Sequence, residues 1–131
     1  MSQPYVGEIR MFGGSFAILG WAFARGQLIS ISEQETLFNL IGTTYGGDGQ
    51  TTFALPNLSS RVPVHFGNGM TLGDTGGGEY AGVTGMQSTV LFGGGGSSAA
   101  VIDTTQTVPT VPPFLAINFI VSLLGVFPSQ T

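Results

Sequence analysis

Ser32-Glu33-Gln34-Glu35-Thr36-Leu37-Phe38-Asn39-Leu40-Ile41-Gly42, followed at once by Thr43-Thr44-Tyr45-Gly46-Gly47-Asp48-Gly49, is where the periodicity of the chain changes. Ser32 and Glu35 stand at capping-box spacing, in which the hydroxyl accepts from the amide of residue 35 and the carboxylate reaches back. Glu33 and Glu35 also fall where the helix dipole favours negative charge. Leu37, Phe38, Leu40 and Ile41 supply an apolar face, and Gly42 is placed to end it. The spacing predicts one short helix, about 33–41. Gly46, Gly47 and Gly49 then mark a structural turn whose backbone visits φ > 0, with Asp48 as the turn-former accepting backbone amides. The same four residues lack the following helix, the Lys and the Ser/Thr of a phosphate cradle. They also lack the alternating acids of a calcium loop.

Outward from this stretch the pattern is of short strands between glycine turns. Val6–Phe12 and Trp21–Ala24 read as strands, the latter closing at Arg25-Gly26 before a restart at Gln27-Leu28-Ile29. Trp21 is expected in the core. Glu8 and Arg10 share one strand face as a surface pair worth under about 1 kcal/mol. Ser60–Phe66 reads as an edge strand, because Pro63 has no N–H to give a ladder. The fold class is α+β, mostly β: a compact domain with one short helix and a Gly/Ser/Thr-rich β arm or loop region.

That region, 67–108, holds β-prone stretches at Glu79–Val83, Ser88–Phe92 and Ala99–Thr107. Its low charge sets it apart from a solvated linker and suits packing against a neighbouring subunit. Tyr80, Val83, Val90, Leu91, Phe92, Val101 and Ile102 are the expected subunit-interface residues. After it, Phe114–Phe127 is a run of 14 uncharged residues, short of the ~20 that span a membrane. It reads as a buried strand. Leu115, Ile117, Phe119, Val121 and Leu123 make one apolar face, and Ala116, Asn118, Ile120 and Ser122 a smaller mixed one.

Composition points the same way. The 131 residues include three Arg, no Lys, seven acids and 22 Gly; 42% are hydrophobic and 8% charged. Enough apolar residue is present for a core, which excludes wholesale disorder. A compact fold of 13.5 kDa has about 6,500 Å² of surface, leaving about one charge per 650 Å². Such a surface is poorly protected against association. With a net charge of −4 no phosphate-neutralising stripe can be built, so nucleic acid is not an expected partner. Nor is there a polybasic segment for an anionic membrane. Without Cys there are no disulfides, thiolate metal sites or cysteine nucleophiles. Met1–Glu8 shows no basic and apolar pattern of a secretory signal. Either the chain stays inside the cell or it leaves by another route.

Several stretches together resemble a known family. Pro4-Tyr5-Val6-Gly7-Glu8-Ile9, Gly20-Trp21-Ala22-Phe23, Gly26-Gln27-Leu28, Leu37 through Gly49, Phe53-Ala54-Leu55-Pro56-Asn57-Leu58 and Arg61-Val62-Pro63 follow in the order seen in the phage tail collar domain. That domain occurs in short tail fibres and in microcystin-dependent proteins. Pro112–Ile120 and Gly125–Pro128 are similar to its closing segment. The resemblance covers about 4–66 and 109–128, with 67–108 as a variable insertion, and treats 1–131 as a single domain. It implies a mostly β fold with one helix and a structural or receptor-facing role in a fibre, usually as a trimer. Departures are specific. Ala24-Arg25 stands where many relatives have Cys-Asp, so no redox role carries over. The stretch Tyr80–Phe92 lacks the His-x-His element that in some fibres holds a metal on the trimer axis.

The inventory for catalysis is thin. Glu33 and Glu35 are accounted for by capping, and a lone His65 reads as a satisfied strand histidine rather than a ligand. Arg25 and Arg61 read as loop-anchoring donors to carboxylates or carbonyls. No catalytic, cofactor or metal residue is expected. The reading is a self-assembling structural subunit, a homo-oligomer built as a trimer or a helical filament. The alternative is a receptor- or glycan-binding module at a fibre tip.

Overall fold

The computed structural model describes residues 3–88 and 101–130. The chain divides into two compact units, one of Met1–Asp74 with Ala116–Thr131 and one of Thr75–Leu115. It is mostly β, with one short helix among the described residues.

In the first unit the strands β1 (Ile9–Phe12), β2 (Trp21–Phe23) and β7 (Asn118–Ser122) form a sheet of order β1-β7-β2. The last strand of the chain is thus the central one, antiparallel to both neighbours. Its register sets Ile9 opposite Val121 and Phe12 opposite Asn118 on one side, and Trp21 opposite Ser122 on the other. Backbone bonds extend this pairing: Gly7 N donates to Ser122 O at 2.9 Å and Ser122 N to Glu8 O at 2.9 Å. β3 (Leu28–Ser30) and β4 (Thr52–Ala54) form a separate antiparallel pair, with α1 (Glu35–Ile41) between them in sequence.

The core is small. Val6, Leu37, Phe53 and Leu55 form its fully buried centre, with Ala22, Ile29, Ile31, Phe38, Ile41 and Leu123 packed against it. The Phe38 ring meets that of Phe53 at 5.5 Å between centroids and 54°, within the range of favourable tilted pairs. Ala22 faces this core, so its strand neighbours Trp21 and Phe23 point to the opposite side of the sheet.

Four expectations need correction. The helix starts at Glu35, and Ser32 does not cap it: Gln34 is the N-cap, with no side-chain bond. Both Glu33 N and Gln34 N donate to Ser30 O at 3.2 Å, and Ser32 Oγ pairs with Ser30 Oγ at 2.8 Å. The Ile31 N bond to Thr51 O carries the β3–β4 pairing one residue further, so the chain must turn before a helix can begin. At the other end Gly42, φ 55°, donates to Phe38 O as expected of a helix-ending glycine.

The predicted strand in 114–127 shrinks to Asn118–Ser122. Ile120, Val121 and Ser122 are buried in succession, while Leu115 is 85% exposed. Arg10 and Phe23 flank Ile120 and Ile9 and Ala22 flank Val121, so neighbouring side chains stand beside the strand on both faces, and Pro112-Pro113 keep the preceding chain out of a ladder. Ser60–Phe66 forms no strand and is exposed throughout; among the described residues no strand pairs with it. The first strand begins at Ile9 rather than Val6, because Gly7 turns the chain at φ 81°.

The second unit contains β5 (Tyr80–Ser88) and β6 (Val101–Pro109), paired antiparallel from Tyr80↔Pro109 to Ser88↔Val101. Thr110 N continues the ladder to Glu79 O at 2.9 Å. The expected break between Val83 and Ser88 does not exist, and β5 is continuous across it. Among the described residues no third strand joins this pair.

Candidate functional site

The loop after the helix is built around one carboxylate. Asp48 Oδ1 accepts the amides of Gln50, Thr51 and Thr52, each at 2.9 Å, and Oδ2 accepts the Thr51 hydroxyl at 3.0 Å. These donors, the Thr52 amide foremost, hold its carboxyl far below the usual carboxylate range. Gly46, Gly47 and Gly49 adopt φ of 128°, 96° and 76°. A Cβ on Gly47 would lie 2.4 Å from Phe53 Cα and 2.8 Å from Thr52 O. The loop therefore lies directly on the β4 backbone and seats Phe53 in the core. Oδ1 is thus taken by three backbone amides and Oδ2 by the Thr51 hydroxyl, all within the loop itself.

On the sheet face away from the core lies a different arrangement. The Arg10 guanidinium sits over the Trp21 ring at 5.3 Å from its centroid, and that of Arg25 over Phe23 at 5.0 Å. Trp21, Phe23 and Arg25 follow at two-residue intervals along one side, and Arg10 reaches them from β1 across β7. Arg10 Nε also donates to Glu8 Oε1 at 2.7 Å, and Glu8 Oε2 accepts the Tyr5 amide at 3.1 Å. Those contacts, Arg10 first, lower the Glu8 pKa. Trp21 is half-buried beneath Arg10 rather than in the core, and Arg25 stacks on a ring rather than anchoring a loop through its guanidinium. Sequence spacing paired Arg10 with Glu8; nothing local could pair it with Trp21. Arg61 is exposed, and its backbone amide donates to Leu58 O at 3.2 Å.

Large apolar side chains line the surface of the first unit. Along Arg61–Leu72 the exposed residues include Val62, Val64, Phe66, Met70 and Leu72, at 48–77%. His65 lies beside Phe66, its ring 5.0 Å away by centroid. Among the described residues no three His, Cys, Asp or Glu side chains stand close enough to hold a metal ion.

The expected interface residues fall in the second unit. Tyr80 is 64% exposed at the start of β5. The register sets Val83 opposite Gln106, Val101 opposite Ser88 and Ile102 opposite Gln87. Val90, Leu91 and Phe92 lie outside the described residues. Two cavities in the first unit measure about 140 and 60 Å³, the larger between the N-terminal turn of the helix and Leu123–Gly125. Both fall well below the ~300–1,000 Å³ of a small-molecule site. Among the described residues no helix is long and apolar enough to cross a membrane.

Among the described residues the arrangement offers exposed apolar chain, unpaired strand edges and cations held over rings, which suits contact with another macromolecule. Residues 7–63 match the family model of the Phage Tail Collar Domain. The match takes in the helix, the Asp48 loop and the first two strands of the central sheet. No curated protein matches the chain.

Proposed function

We propose that this chain, matched to the phage tail collar domain over 7–63, is a structural subunit that assembles with copies of itself. The assembly is a tail fibre or an extracellular filament, built as a closed trimer or a helical array, and the protein works outside the cell or on the virion. The region 67–108 serves as an arm between subunits, inserted into a single collar-type domain. Its interface includes Tyr80, Val83, Val90, Leu91, Phe92, Val101 and Ile102. No catalytic step belongs to this role.

The observation that carries the reading is the uncovered apolar chain from Val62 to Leu72 in a protein with ten formal charges among 131 residues. Exposed apolar patches of that extent mark interaction sites. The two-stranded β5–β6 ribbon supports it, since such a ribbon is marginal in water alone and an open edge can add to a neighbour's sheet. The glycan-binding alternative has less support, because Arg10 occupies the outward face of Trp21 that a sugar ring would need. Light scattering and negative-stain microscopy test the proposal. Oligomers or fibres are expected at tens of micromolar; a clean 13.5 kDa monomer would overturn it.

A further inference from the structure

We infer that Arg10 and Arg25, held over Trp21 and Phe23, form a carboxylate-receiving face, and that its occupant is the acidic pair of a second copy made by Glu33, just before the helix, and Glu35, its first residue. The inference rests on the assembly reading above and adds which surfaces meet.

A guanidinium held over a ring face by cation–π attraction still carries N–H groups that a carboxylate can accept. Two of the three arginines of the chain are held this way on one sheet face. Glu8, already on Arg10 Nε at 2.7 Å, shows that this face takes a carboxylate. Arg25 has no carboxylate within salt-bridge distance among the described residues.

The partner follows from the remaining acids of the first unit. Asp48 is consumed by its own loop, Glu8 by Arg10 and the Tyr5 amide, and Asp74 by the Thr71 amide at 2.7 Å. Glu33 and Glu35 are exposed. Among the described residues neither makes an ion pair, and neither carboxylate caps the helix. They also lie on the other side of the sheet from the arginines. Leu37 of the same helix packs in the core with Ala22, whose side chain points away from Trp21 and Phe23. Within one copy the two charge sets cannot meet, but between copies they complement each other. A contact between two different surfaces is heterologous and propagates as a ring or an open array. Its charges set register and partner choice, while apolar area supplies most of the affinity.

The test is a charge swap read by light scattering, with far-UV circular dichroism to confirm the fold. Arg25→Glu and Glu35→Arg are each expected to raise the concentration for half-assembly by about tenfold. The double variant, Arg25→Glu with Glu35→Arg, is expected to recover to within about threefold of the parent. Arg25→Gln, a milder change, is expected to weaken assembly and flatten its salt dependence. If the parent assembles and the single variants assemble equally well, or the double variant does not recover, this contact is wrong and the assembly reading stands. A parent that stays monomeric overturns both. Arg25-dependent binding of polygalacturonate by such a monomer would assign the face to an acidic glycan instead.

Discussion

Asp48 has little exposed-side-chain chemistry left to offer, since its two oxygens accept four hydrogen bonds within four residues. Its folded-state pKa is depressed relative to about 3.9 in an unfolded chain. The stabilisation is therefore complete above that value and is lost as pH falls below it. Asp48→Ala should lower Tm at neutral pH and flatten the loss of stability below about pH 4. Asp48→Asn should do less harm at neutral pH, because its one amide oxygen can still take the three Oδ1 bonds. Thermal melts of the three proteins between acid and neutral pH check this. Gly47 gives a sharper residue-level outcome. At φ 96° with backbone 2.4 Å from any Cβ, Gly47→Ala should cost about 3 kcal/mol or more. Gly13→Ala, where nothing lies within 4 Å, should stay within about 1 kcal/mol of the parent. Urea unfolding of the pair separates the two.

Among the elements, β7 and the β5–β6 ribbon sit at opposite extremes. β7 is hydrogen-bonded on both edges and buried through Ile120, Val121 and Ser122. The ribbon is bonded only to itself among the described residues. Hydrogen exchange on dilute protein should find the amides of β7 exchanging slowest and those of β5 and β6 far faster. Protection of the ribbon should rise on assembly. A ribbon as protected as β7 in the dilute monomer would contradict the assignment of 67–108 as an intersubunit arm. β4 belongs with β7, because Phe53 is fully buried at the centre of a small core. Phe53→Ala should cost about 3–5 kcal/mol, enough to unfold a marginal domain; a smaller loss in urea unfolding would mean that the core collapses around the gap.

For the whole molecule, the deciding quantity is how little ionic surface stands against how much apolar surface. Ten formal charges share the exterior with side chains such as Leu19, Val62 and Leu115, each more than three-quarters exposed. Self-association driven this way should strengthen in sulfate, which favours burial, while the Arg-to-Glu contact should weaken in chloride. Scattering in the two salts at matched ionic strength separates the contributions. No weakening in chloride would leave the charged contact without a role, and equal responses in the two salts would leave the apolar drive without one.

The residues alone determined what depends on near neighbours. Helix periodicity over Leu37–Ile41, a glycine turn around Asp48 and a β-rich frame all follow from steric and hydrogen-bonding rules acting within a few positions. So did the Glu8–Arg10 pair. The capping box failed because the β3–β4 pairing, set across more than twenty residues, claimed the backbone before Ser32 could use it. Only the folded chain decided that its last strand is the middle of its first sheet. Asn118, which donates to Gly14 O across 104 positions, shows the reach of that decision. Closing so long a loop is decided by which apolar surfaces fit together rather than by local preference. For the same reason Arg10 on Trp21 and Arg25 on Phe23 share a face that no spacing rule could place.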